Sequence, residues 1–426
     1  MVRAIILLLL AATAVFAQDT RTVTEPVIPA ACKTLTALLP LQLSEADESK
    51  PDTARIQDAL DHCEKGKAVV LTGGGFLTGP LQLRAGVTLV VDAKTILYAS
   101  RNARDYDLKP GSCGTVTKEG HGCKNILTGT NVADAGVMGD GIIDGRGYAK
   151  ILGPKDSWWD LAQEAKVKNL NQSCPRILQL AKCNNFTLYK ITLKNSPQFH
   201  VAYSGGNGFT AWGVTIDTPK TARNTDGIDP GNSTNVTITH CFISTGDDNV
   251  AIKAGKGAPT THMTISHNHF YSGHGMSIGS ETDGGASDIL VTDLSIDGAD
   301  NGIRIKSNSS KGGLVKDIVY EDVCIRNVKN PIYMDSNYSY FGDRRDLLPM
   351  FTNIQLRNVT VSTPGKVTLQ GFDDAHRLGI IFENVVLPAG TKTVEEHADV
   401  KRNGATPNPG CSAKFVPLTS RTSGSR

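Results

Sequence analysis

The 426-residue chain sets 44 Lys and Arg against 42 Asp and Glu, a formal net charge of +2, so no global field attracts a polyanion. No basic stripe supports nucleic-acid binding. Glycine is high at 43 residues and aromatics are low at 6%, the mix of a chain rich in turns and short strands.

Residues 1–17 read as a secretory signal. Arg3 supplies a positive start, Ile5 to Val15 is almost purely apolar, and Val15-Phe16-Ala17 suits cleavage before Gln18. That run is too short for a comfortable membrane span, and no later segment is apolar for long enough. A secreted, extracellular protein with no membrane partner is therefore expected. Nine cysteines in an exported chain favour disulfides, and the odd count leaves one thiol over or an intermolecular bridge. Cys32/Cys63 and Cys113/Cys123 stand out as local pairs, and Cys174/Cys183 could form a third. Cys241 and Cys324 lie in strand-like runs, as buried thiols do. No CxxC occurs, which argues against structural zinc.

One helix is legible near the start. Asp52 or Thr53 can cap it, and Ile56, Leu60 and Cys63 share a face before Gly66 ends it. From Ala68 onward, short β-branched segments end in Gly, Asp or Asn. From residue 186 they repeat: Val236-Thr237-Ile238, Met263-Thr264-Ile265, Ile289-Leu290-Val291 and Ile318-Val319-Tyr320 follow one another at 27, 26 and 29 residues. The apolar positions alternate, which excludes helical repeats, and the period is too short for a propeller blade. The pattern predicts an all-β solenoid, a parallel β-helix with Ile, Val and Leu ladders inside and outward side chains left for function. One domain over residues 18–400 is expected, covered by the short N-terminal helix and followed by a loosely ordered tail over 401–426. Seven Asn-x-Ser/Thr sequons occur, including those at Asn185, Asn235 and Asn358; several open strands, so corner geometry explains them better than glycans.

Four polar islands interrupt the apolar pattern: Asn224-Thr225-Asp226-Gly227, Gly246-Asp247-Asp248, Gly273-His274-Gly275 and Arg304-Ile305-Lys306. Asp226 to Asp247 is 21 residues, Asp248 to His274 is 26 and His274 to Arg304 is 30, about one coil each. One island per coil would stack them on one outward face. Asp226, Asp247 and Asp248, with Asp229 close by, could then not all ionise, leaving one proton donor and one or two bases. That is the minimum for glycoside hydrolysis. His274 falls where it could tune the acid. Arg304 and Lys306 would share one face of a strand, suited to a ligand carboxylate.

In this order and spacing the four islands resemble the polygalacturonases of glycoside hydrolase family 28. The resemblance extends from about Arg21 to Leu387. Ser157-Trp158-Trp159, Asn195-Ser196-Pro197 and Thr221-Ala222-Arg223, with the bracketing Cys32/Cys63 and Cys113/Cys123, are particularly similar to the endo-acting members from soft-rot bacteria. It implies a right-handed parallel β-helix, the single-stranded solenoid of the pectin-lyase type. It also implies inverting hydrolysis of α-1,4-linked polygalacturonate, with the polymer as partner and a monomeric enzyme. Asp247 resembles the general acid, Asp226 and Asp248 the carboxylates that hold the attacking water, and His274 the histidine near the acid. Arg304 and Lys306 resemble the pair that grips a galacturonate carboxylate; Tyr338 and Asn224 look like further substrate contacts. No metal or organic cofactor is implied. An exo-acting hydrolase is the alternative, and a β-helical lyase or a non-catalytic carbohydrate-binding protein is more remote.

Overall fold

The computed structural model describes residues 18–153, 155–338, 346–404 and 413–418; the expected signal at 1–17 lies outside them. The chain winds into a parallel β-helix, as the alternating repeat predicts. One face is an 11-stranded parallel sheet in which each strand pairs with that of the next coil, from Leu81–Gln82 at one end to Lys392–Glu396 at the other. The remaining faces form a larger parallel sheet. In the early coils two short strands meet at a bend, as in Asn184–Tyr189 and Thr192–Lys194. In later coils they fuse into one long bent strand, as in Thr260–Phe270 and Leu314–Arg326.

The repeat of the sequence becomes ladders in the interior. Phe186, Phe209, Val236, Met263, Ile289, Ile318 and Ile354 stack in register, and each is fully buried. Truncating one of the aliphatic members to Ala would remove about 2–5 kcal/mol. The bends need a left-handed residue on every coil, which a side chain able to bond its own backbone tolerates best. Asn185, Asn235 and Asn358 hold such positions, with φ of 50°, 57° and 51°. These three sequon asparagines therefore have a structural reason to be present.

The legible helix forms over Thr53–Asp61 with Ile56 and Leu60 buried. A second helix, Trp158–Lys168, was not anticipated; Ser157 and Asp160 cap it reciprocally, and Trp158, Leu161 and Ala165 face inward. Disulfides join Cys32 to Cys63 and Cys113 to Cys123 as expected. Cys174 and Cys183 are buried thiols not bonded to each other, so the third local pair does not form. Cys241 is a buried thiol as expected, whereas Cys324 is disulfide-bonded. The boundary expected at residue 400 falls inside the strand Ala398–Asn403. Beyond it, Val416 accepts a hydrogen bond from the Tyr271 hydroxyl at 2.6 Å and Phe415 lies against Arg326, so this part of the tail docks on the solenoid.

Candidate active site

The site lies where turns lead into the 11-stranded sheet. Leu178, Val201, Ile228, Val250 and Met276 are in register on five successive coils. Two positions earlier on each coil stand Arg176, Phe199, Asp226, Asp248 and His274. Three of these belong to the expected islands, so the corner ladder carries Asp226, Asp248 and His274 one above another. Arg304 departs from it. It pairs in register with Ser277, three positions beyond His274 along the strand, and reaches back down across two coils. The islands thus form a ladder with a diagonal arm.

Thr225 fastens the first island to the second, donating to the Ala222 carbonyl at 2.7 Å and accepting from the Gly246 amide at 3.0 Å. Gly246 has to lack a side chain because a Cβ would collide with the Ala222 carbonyl. The His274 amide donates to the Asp247 carbonyl at 2.8 Å, fastening the third island to the second. At Gly273, φ is 135°, and a Cβ would press on Thr245 and on the Asp247 carbonyl. Behind the acids, fully buried Asn249 donates to the Ile243 and Ser272 carbonyls at 3.0 and 2.9 Å and accepts from the Gly275 amide at 2.9 Å. Asn249 was missed in the sequence, where it reads as one more corner asparagine.

Asp248 is the hub. One oxygen accepts from Arg304 at 3.0 Å and from the Ser277 hydroxyl at 2.7 Å, and the other from Lys306 at 2.8 Å. Its side chain is 1% exposed, and those of Arg304 and Lys306 are 7% and 8%. The two cations are thus committed to Asp248 and both stand over the ring of Tyr338. Arg304 Nε is buried without a hydrogen-bond partner among the described residues. Asp247 is the accessible acid, 23% exposed, and its Oδ1 lies 3.0 Å from His274 Nδ1. Lys253, also missed, approaches Asp226 at 4.0 Å and Glu281 at 3.8 Å. Its advance signal is its place at the end of the strand that follows Asp247-Asp248, Val250–Ile252. Asn224, left-handed at φ 56°, lines a cavity of about 370 Å³ with Arg176 and Arg223.

The electrostatics divide the acids. Burial pushes the Asp226 carboxyl well above the carboxylate range, and the charges of Asp229 and Asp247 push it further. Burial lifts Asp229 to about 7 despite the opposing Lys253. Burial also works to raise Asp248, but Lys306 and Arg304 outweigh it and hold the group far below its usual value. For Asp247 burial is overcome by the His274 hydrogen bond, and the net shift is downward. In mild acid protons therefore reside on Asp226 and Asp229, while Asp247 and Asp248 are ionised. Asp247, Asp248 and His274 bring ligand atoms within 4.8 Å of one another, close enough to hold a metal ion. Arg304 and Lys306 already neutralise Asp248, which leaves a cation little to compensate.

A ladder of acids beside a long flat sheet, with two cations one step away, is the equipment of a polysaccharide hydrolase. Comparison with known proteins agrees: the model of the glycosyl hydrolases family 28 matches residues 63–406. The chain belongs to that family. Among its relatives, an endo-polygalacturonase of Pectobacterium carotovorum subsp. carotovorum is 44% identical, over 91% of this chain and 94% of that protein. A polygalacturonase of Ralstonia nicotianae is 42% identical, over 91% of this chain and 83% of its own. The solved polygalacturonase from Erwinia carotovora ssp. carotovora superposes with a TM-score of 0.86 at 44% identity, over 90% of this chain and all of that one. This family 28 member is a glycoside hydrolase, as its acid cluster predicts.

Proposed function

We propose that the chain is a secreted, monomeric, endo-acting polygalacturonase that hydrolyses α-1,4-galacturonosidic bonds of polygalacturonate by single displacement with inversion. The observation that carries this reading is the Asp226, Asp247 and Asp248 cluster beside Arg304 and Lys306 on the open sheet face. Asp247 is the donor to the leaving glycosidic oxygen, because it is the one acid of the three whose carboxyl reaches the groove. A uronate lying across it excludes water and brings a second negative charge, both of which raise its pKa and favour transfer of the Asp226 proton onto it. His274, at 3.0 Å, fixes its orientation. Asp248, ionised by its two cations, and Asp226 hold the attacking water, and Arg304, Lys306, Tyr338 and Asn224 contact the sugar chain.

Inversion ordinarily needs room for water between acid and base, about 6.5–9.5 Å. Asp247 and Asp248 approach within 4.8 Å, so on this reading the water lies beside the pair rather than between them. The test is direct. Polygalacturonate should yield mixed oligomers early, and proton NMR should find the inverted anomer first; retained configuration would reject single displacement. Asp247→Asn should lose at least ~100-fold on the polymer. It should lose much less on an oligogalacturonide carrying an aryl leaving group that needs no protonation. If Asp226→Asn shows that rescue instead, the proton donor is Asp226.

A further inference from the structure

Arg176 occupies the corner ladder two coils below Asp226, and its guanidinium stacks on Phe199, the intervening member, at 4.6 Å. It is half-buried, yet no carboxylate among the described residues pairs with it. Its Nε donates to the Gln198 side-chain oxygen at 2.9 Å and one terminal nitrogen to the Gln179 oxygen at 2.6 Å. A guanidinium sheltered from water and given only neutral acceptors is stabilised further when an anion arrives. Because both amide oxygens turn toward Arg176, both amide NH2 groups turn away from it, and both residues line the cavity of about 370 Å³ that also holds Arg223 and Asn224. Arg223 has no ion-pair partner among the described residues; one of its nitrogens donates to the Ala162 carbonyl at 3.2 Å. The one carboxylate lining this cavity is the exposed Glu119. A second cavity of about 310 Å³ continues from Arg176 and Gln179 to Asp229 and Lys253, so the donors open toward the acids.

We propose that Arg176, Arg223 and the outward amides of Gln179 and Gln198 form a second uronate-carboxylate subsite, on the opposite side of the acids from Arg304 and Lys306. The inference rests on the polygalacturonase reading. At the ordinary strand spacing the subsite lies roughly 10 Å below Asp226 along the helix axis. A polyuronide is then gripped by its carboxylates on both sides of the scissile bond, which favours cutting inside a chain. The experiment measures kcat and KM on polygalacturonate and a graded series of oligogalacturonates. Arg176→Gln raises KM on the polymer about tenfold or more, the worth of one charged hydrogen-bonded contact, with kcat nearly unchanged. The penalty shrinks as the substrate shortens. Gln198→Glu offers a control that keeps the packing: its carboxylate occupies the Arg176 fork and raises the polymer KM in the same length-dependent way. A polymer KM unchanged in both variants, or a loss equal at every length, overturns the subsite. Failure of the wild-type chain to cleave any polygalacturonate would instead overturn the activity reading.

Discussion

Asp248→Asn is the substitution whose outcome the structure constrains most tightly. Asparagine preserves the shape and can still accept from Ser277, but it removes the carboxylate that bonds Arg304 and Lys306 at 3.0 and 2.8 Å. Two cations more than nine-tenths buried are then left facing an amide. Removing one partner from a buried pair costs about 3–5 kcal/mol, and two stranded cations place this site toward the upper end. The sign with pH follows from the direction of the shift. Asp248 is held far below the carboxylate range, so its contribution is complete above about pH 4 and is lost only as the pH falls through its folded value. Urea unfolding should therefore show a gap between wild type and variant that is flat from roughly pH 5 to 8 and closes only in strong acid. Adding Lys306→Met removes one stranded charge and should recover part of the loss, a coupling of about 1–3 kcal/mol. A loss below about 1 kcal/mol, or a double variant no better than the single one, would refute the view of Asp248 as counter-ion to both cations.

Three further outcomes are expected. Asp229 is buried with neither oxygen bonded among the described residues and is lifted to about 7, so the wild type loses stability as the pH climbs from about 4 to 7. Asp229→Asn should accordingly raise the melting temperature at pH 8 by an amount equivalent to about 2–4 kcal/mol and leave it unchanged at pH 4; a gain confined to low pH would contradict the assignment. Asn249→Ala leaves the buried Gly275 amide without its acceptor and takes one of two donors from each of the Ile243 and Ser272 carbonyls, and should destabilise by about 1–3 kcal/mol while lowering kcat, measured by calorimetry and initial rates. Joint replacement of Cys113 and Cys123 by Ser frees the loop that walls the cavity beside Arg176, and should raise the polymer KM far more than it lowers kcat; an unchanged KM would show that the wall holds without its crosslink.

The solenoid was legible because its physics is local and repeated. Alternation fixes which side chains enter the core, and a period near one coil brings Val236, Met263, Ile289 and Ile318 into one ladder without knowledge of any contact. The residues that escaped notice lack that repetition. The helix at Trp158 sits in an insertion between coils, where its capping pair Ser157 and Asp160 was the only signal. Cys324 reads as an ordinary strand cysteine because nothing in its own strand marks it as bonded. Asn249 and Lys253 flank the short strand Val250–Ile252 that follows the acids, but Lys at a strand end and Asn at a corner are both commonplace.

The largest correction concerns what the cations do. Spacing in residues put Arg304 one coil above His274, directly over the acids. Register in ångströms puts it over Ser277, offset by three positions, and its side chain spends its length returning to Asp248. A count along the chain cannot separate these cases, because the turns between strands differ in length from coil to coil. The difference matters chemically. A cation directly over the ladder would serve the substrate alone, whereas Arg304 and Lys306 also hold Asp248 ionised, so one pair of side chains sets the base and faces the sugar. Replacing either should therefore alter both the acid limb of the pH–rate profile and KM, where a contact that only binds would move KM alone.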